Sequence, residues 1–238
     1  MTAMKINFIV LKLLTIQCFF IYTSILTAQS DPPHAISVSG NVDIVSRYIW
    51  RGLEFGQSPS IQPALSAKWK DFTLGAWGAY KLTGAGDQET DFFLTKKIGF
   101  LTVGVSDYWT FSDTAAMDFF NYREKTTAHI LETQVLLSGG ESLPFNLLAC
   151  YFFYGADTTE SIYLELQYLH SSNLMDMLFF AGYQPKGEYY GSKNSFVNIG
   201  CTARKSIAVT DRWSLPLSIS LILNPDRKSV YLVAGITL

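Results

Sequence analysis

The chain is short of the residues that mark several protein classes. It has three cysteines, three histidines and a net charge of only −2 over 238 residues, and 16% of its residues are charged. Ordinary soluble domains carry about a quarter charged residues. Three cysteines cannot build a disulfide-dense scaffold. A near-neutral chain offers no basic field, so no nucleic-acid partner is expected. Three scattered histidines, with the cysteines in separate segments, do not compose a metal site. No Walker loop or dinucleotide fingerprint is present, and no cofactor is expected. Beyond residue 28 the apolar runs, such as 147–154 (LLACYFFY) and 177–183, last seven or eight residues, against about 20 for a helical membrane span.

What the chain has in abundance is apolar and ring side chains: 48% hydrophobic residues, with 17 Phe, 13 Tyr and 5 Trp. That excludes disorder, collagen and a charged coiled coil. Residues 1–28 (MTAMKINFIVLKLLTIQCFFIYTSILTA) combine Lys5 and Lys12, an apolar middle and a small residue at Ala28. These are the parts of a secretory signal peptide cleaved after Ala28. The alternative, an anchoring helix, is interrupted by Lys12 and Gln17. An exported apolar chain without helical spans is either a soluble sandwich or a closed outer-membrane barrel.

Periodicity favours the barrel. From Ile36 to Arg51, Val38, Val42, Ile44, Tyr48 and Trp50 alternate with Ser37, Ser39, Asn41, Asp43, Arg47 and Arg51, a long strand by soluble standards. Twelve segments of this kind fall near 36–51, 60–69, 71–82, 89–98, 100–111, 127–138, 145–154, 161–170, 176–184, 195–209, 214–223 and 229–238. Mostly short turns alternate with mostly longer loops, the plan of an outer-membrane barrel with both termini on the periplasmic side. Trp69, Phe72, Phe145, Tyr168 and Trp213 fall near the short turns. Tyr48, Trp50, Tyr80, Trp109, Tyr151, Phe153 and Tyr183 fall toward the long loops. Two interfacial aromatic belts are expected from that placement. Pro63, inside a strand, marks a bulge. The expected architecture is all-β: a closed antiparallel transmembrane barrel of about 12 strands over 36–238, after a signal peptide (1–28) and a periplasmic leader (29–35).

Ser46-Arg47-Tyr48-Ile49-Trp50-Arg51-Gly52, followed by Pro59-Ser60-Ile61-Gln62-Pro63-Ala64-Leu65, resembles the opening of the TorF-type porin family. Residues 103–108 (VGVSDY), 152–157 (FFYGAD) and 187–191 (GEYYG) resemble recurrent pieces of its Bacteroidetes-like relatives. The resemblance covers most of the chain after the signal peptide. It implies an outer-membrane barrel of a Gram-negative bacterium with a transport role, and it carries over no catalytic residue. Many such barrels end in an aromatic residue, whereas this chain ends in Leu238.

If the apolar faces meet lipid, the opposite parity lines the lumen, because charge facing hydrocarbon is costly. Asp43, Arg47, Arg51, Lys68, Lys81, Glu89 and Asp91 then point inward. So do Glu132, Gln134, Glu165, Gln167, Asn198 and Arg204. A mixed-sign lumen either stays hydrated and conducts small polar solutes or pairs across the barrel and plugs it. Residues 112–126, the longest loop, expose Phe119, Phe120 and Tyr122. They either bind a partner or fold inward as a constriction. Expected partners are outer-membrane lipid, lipopolysaccharide and the barrel assembly machinery.

Twelve-stranded outer-membrane phospholipases carry a motif similar to His-x-Ser-Asn-Gly. Here His170-Ser171-Ser172-Asn173 is followed by Leu174 and falls at a short turn, so it reads as polar turn residues and no enzyme is expected. Cys150 and Cys201 are assigned to opposite faces, which excludes a disulfide between them. An open lumen predicts reproducible conductance steps in a planar bilayer, with ion selectivity altered by Arg47→Ala or Glu132→Ala.

Overall fold

A computed structural model describes residues 35–84, 86–112, 118–140 and 143–238. The expected signal peptide, the leader up to residue 34 and residues 113–117 of the long loop lie outside the described residues. Those described contain no helix. The described residues form fourteen strands: β1 (Ser37–Val45), β2 (Ile49–Trp50), β3 (Leu53–Glu54), β4 (Ser60–Trp69), β5 (Phe72–Lys81), β6 (Gln88–Ile98), β7 (Leu101–Phe111), β8 (His129–Ser138), β9 (Phe145–Gly155), β10 (Ile162–Ser171), β11 (Asp176–Lys186), β12 (Ser195–Thr210), β13 (Trp213–Asn224) and β14 (Ser229–Thr237). All but β2 and β3 close into one antiparallel barrel of twelve strands, in which β1 pairs with both β4 and β14.

The side-chain period of two sorts the wall into faces. Leu65, Leu74, Leu94, Val105, Leu147, Leu166, Ile219 and Leu232 are exposed on the outside. Gln62, Glu89, Asp91, Glu132, Glu165, Gln167 and Asn198 are buried on the inside. That is the reverse of a soluble protein, and it follows the parity of the sequence strand by strand. Trp69, Phe145, Tyr168 and Trp213 are exposed near one rim, Tyr80, Phe153 and Phe196 nearer the other.

Eleven of the twelve expected segments match barrel strands to within a few residues. The first does not. The expected strand over 36–51 stops at Val45, and residues 49–54 instead form a separate two-stranded hairpin, β2–β3. Tyr48 and Trp50, expected in the outer aromatic belt, are buried in the interior cluster with Leu53, Tyr108, Phe152, Tyr163 and Tyr190. The alternation runs on through Arg51, but the chain has left the wall and turned inward. Pro63 is a second correction: its pairing with Val42 stays in register with β1, and no bulge occurs there. The register shifts lie between β8 and β9, β10 and β11, β11 and β12, and β12 and β13.

The closure between β1 and β14 is the shortest seam. Asp43, Ile44 and Val45 pair with Thr237, Ile236 and Gly235, the Leu238 and Val42 backbones exchange two hydrogen bonds at 2.9 and 3.1 Å, and Thr237 Oγ1 donates to Asp43 Oδ1 at 2.6 Å. Deleting residues 235–238 removes every one of these partners and leaves two open edges. The truncated chain is expected to lose the heat-dependent gel shift of a closed barrel, and a retained shift would show that closure does not depend on this seam.

Candidate functional site: a hairpin inside the lumen

The hairpin turns at Arg51-Gly52, and both residues have positive φ, +49° and +81°. A two-residue hairpin loop of this kind needs left-handed backbone at both centres. Glycine accepts that at no steric cost, whereas an arginine held there is strained by about 1–3 kcal/mol. At Gly52 no other residue fits, since a Cβ would lie 1.9 Å from the Val197 carbonyl oxygen on β12. The strain at Arg51 is offset by what its side chain meets.

Arg51 reaches across the lumen to Glu132 on β8. Its Nη1 and Nη2 donate to Oε2 and Oε1 at 2.5 and 3.0 Å, a two-pronged pair between fully buried groups. Tyr108 of β7 donates its hydroxyl to the same carboxylate at 2.8 Å. Arg51 Nη1 also donates to the Tyr190 hydroxyl at 2.6 Å, and Nη2 lies 2.9 Å from Cys150 Sγ. The guanidinium carbon sits 4.4 Å from the ring centre of Trp50 and 4.7 Å from that of Tyr163. Removing one partner of such a pair strands a buried charge, at a cost of about 3–5 kcal/mol.

The hairpin is also gripped by rings. Trp50 meets Tyr108, Phe152, Tyr189 and Tyr190 at centroid distances of 5.3–6.4 Å. Ile49 packs against a second inward cluster of Leu178, Phe180, Ile222 and Val233. The hairpin thus joins both apolar clusters of the interior. At its outer end Arg47, expected to line the lumen, is exposed and ion-paired with Glu54 at 2.5 Å.

Residues 187–194, which connect β11 and β12 at the same rim as the hairpin, close over it. Gln184, fully buried, donates to the carbonyls of Gly187, Gly191 and Lys193 and accepts from the Tyr190 backbone. The amide of Asn224 donates to the carbonyls of Gly52 (3.2 Å) and Tyr190 (3.4 Å), tying hairpin and loop together. Asp226 accepts from the Ser192 backbone at 2.7 Å. That bond holds the Asp226 carboxyl below its ordinary value of 3.8.

The remaining inward residues form a polar lining. Tyr48 donates to Glu89 at 3.0 Å, and Asp91 is buried beside it on β6. Glu165 accepts from Gln167 (2.7 Å), from Asn198 (2.8 Å) and from Tyr163. Gln134 donates to Ser106 at 3.2 Å. Asp43 and Arg204 are half-buried on the wall, Lys81 donates to the Gly86 carbonyl at 2.6 Å, and Lys68 is exposed near the Lys70-Asp71 turn. Sequence parity brought the acidic members together. It missed Gln184, Asn224 and Tyr190, which act from strand ends and loops, and it missed the inward turn, for which the only signal was Arg51-Gly52.

Of the two alternatives expected for the long loop, partner binding or constriction, its described residues do not form the constriction: they lie against the outside of the barrel. Phe119 and Tyr122 cover His129 at centroid distances of 5.1 and 4.0 Å, and Phe119 meets Trp109 at 5.2 Å. His129 bridges Asp107 Oδ1 (2.7 Å) and the Phe119 carbonyl (2.6 Å). Phe120 stays exposed. Of the His170–Asn173 run, His170 and Ser171 end β10 and Ser172-Asn173 opens the β10–β11 turn, where Ser172 Oγ donates to the Met175 carbonyl at 2.8 Å. Cys150 faces inward, Cys201 lies on the opposite parity, and neither is in a disulfide.

A closed twelve-stranded barrel, apolar outside and filled inside by its own hairpin, is the class these features define. Residues 27–221 match the model of a bacterial protein family of unknown function, Gcw_chp, and the chain belongs to that family. A search of curated proteins found no match.

Two outcomes follow from the geometry. Gly52→Ala is expected to destabilise the folded barrel by about 1–3 kcal/mol from backbone strain alone, read as a lowered denaturant midpoint. A Gly56→Ala control, where a Cβ meets nothing within 4 Å, is expected to leave that midpoint unchanged. For Asp226 the folded carboxyl is the stronger acid, so its tether is fully present above about pH 4 and is lost as pH falls through the lowered folded value. Asp226→Asn is expected to abolish that pH dependence, measured as hydrogen exchange at residues 187–194.

Proposed function

We propose that this chain is an outer-membrane β-barrel, exported by residues 1–28, that acts as a gated conduit for small polar solutes and rests closed. One observation carries the reading: the Arg51–Glu132 pair, which anchors a chain segment across the interior at full burial. The exposed apolar belt suits lipid and lipopolysaccharide on the outside, and insertion by the barrel assembly machinery. The transport role implied by the TorF-type resemblance is retained but made conditional on the hairpin leaving the lumen.

Two features favour a gate over a permanent plug. A buried ion pair contributes little net stability against an apolar filling of the same shape, so it suits a contact that must form and release. The wall beyond the hairpin is also polar. Ser39 and Ser66 pair at 3.1 Å, Thr202 and Ser220 at 2.8 Å, and Asn146 with Gln167 at 3.3 Å, side chains that water can solvate.

A second reading rests on the outer loop. Phe120 protrudes from a segment pinned to the barrel wall, a geometry that fits docking of an extracellular partner.

In a planar bilayer the wild-type protein is expected to be electrically silent. Replacing residues 48–55 with a Gly-Ser linker is expected to produce discrete conductance steps. Steady wild-type conductance would contradict the closed resting state. A folded but silent linker variant would leave a structural or binding barrel in place of the gate.

A further inference from the structure

The lumen wall opposite the hairpin has the composition of a receptor for a planar cation. Glu132 presents both oxygens to one guanidinium, and Tyr108 orients the carboxylate by donating to Oε1. The Tyr163 ring lies flat to one side at 4.7 Å, and Tyr190 adds a hydroxyl acceptor and a more distant ring at 5.7 Å. Arg51 Nε makes no hydrogen bond, so the wall reads only the terminal two-nitrogen fork. That fork is common to every guanidinium compound, and an ammonium ion cannot match it in a plane.

The geometry points to a guanidinium-binding site inside the barrel, formed by Glu132, Tyr108 and Tyr163 of the wall and Tyr190 of the 187–194 loop, of which Arg51 is the resident occupant. The ligand class is a small solute bearing a guanidinium group that enters from the loop-bearing mouth and competes with Arg51. When the hairpin leaves, Arg51 and Trp50 leave with it, while Glu132 stays behind as a buried carboxylate that needs a cation. A solute that fills the site therefore favours the withdrawn hairpin by mass action. The link to opening rests on the gated reading proposed above; the binding site does not.

The test is chemical rescue. In refolded Arg51→Ala, guanidinium chloride at about 10 mM, far below denaturing levels, is expected to raise the midpoint of the heat-dependent gel shift by several degrees. Sodium and ammonium chloride at equal concentration leave it unmoved. Wild type, whose site is filled, and Arg51→Ala/Glu132→Gln, whose site is neutral, show no such shift. An equal response to sodium, or an undiminished response in the double variant, would overturn the site. If Arg51→Ala does not refold, Arg51→Gly takes its place, because it relieves the left-handed backbone strain at φ +49° and still leaves the site empty. Conductance separates the two ideas. Arg51→Ala that stays silent yet shifts with guanidinium keeps the site and rejects the gate, whereas Arg51→Ala that conducts without any shift keeps the gate and rejects the site.

Discussion

A carboxylate with no exposure to water sits near the middle of this barrel, and the arrangement around it follows from that placement. Glu132 is tolerable there only because a cation and a phenol satisfy it. The cation comes from a segment 81 residues earlier in the chain, so the pair exists only where the fold brings that segment to β8. Reaching the carboxylate requires the chain after β1 to leave the wall and turn inside the barrel. That in turn requires left-handed backbone at Arg51 and the absence of a Cβ at Gly52. The ring clusters around Trp50 and the amides of Gln184 and Asn224 then hold the turn in place. Charge, backbone strain and packing are one coupled unit, and its parts do not contribute independently.

The same constraint shapes the reading of function. A barrel of this strand number lies between small barrels whose interiors side chains can fill and wide open porins. Here a hairpin contributes the filling that wall side chains alone do not reach. Its contact surface mixes rings with polar and charged groups, which distinguishes it from an apolar core built only for stability. The outside tells a simpler story. The apolar belt runs from strand to strand, and one polar departure on the outer face, the His129–Asp107 pair, is covered by Phe119 and Tyr122 of the long loop.

The wall was legible in the sequence because a strand in a two-faced barrel repeats one simple rule at every second residue. Leu164 and Leu166 against Glu165 and Gln167 could hardly be read otherwise, and the corresponding strand ends within a residue or so of the expected limits. The hairpin was not legible, for the same reason. Residues 46–51 continue the alternation without a break, and periodicity cannot distinguish a strand that stays in the wall from one that folds into the lumen. What decides is the partner: Glu132, Val197 and Tyr190 are distant in sequence, and their approach exists only in the folded barrel. Arg51 and Glu132 were both placed inside by parity, and pairing across the barrel was one of the two expectations for the lumen charges, but parity does not name which charges become partners. The family match extends over 27–221 and adds no residue roles to this account.

The central claim is that Trp50 lies inside the barrel and not on its outer surface, and quenching of a single tryptophan tests this most directly. With Trp69, Trp77, Trp109 and Trp213 changed to Phe, the remaining Trp50 would be excited in vesicles containing acyl-chain-brominated lipid, then in plain lipid with aqueous acrylamide. A companion protein keeping only Trp213, which is exposed on the outer face, serves as the lipid-facing reference. An inward hairpin predicts that Trp50 is shielded from both quenchers while Trp213 is quenched by the brominated chains. Strong quenching of Trp50 by brominated lipid would return residues 46–51 to the wall as an unbroken strand, and the hairpin-filled lumen would be wrong.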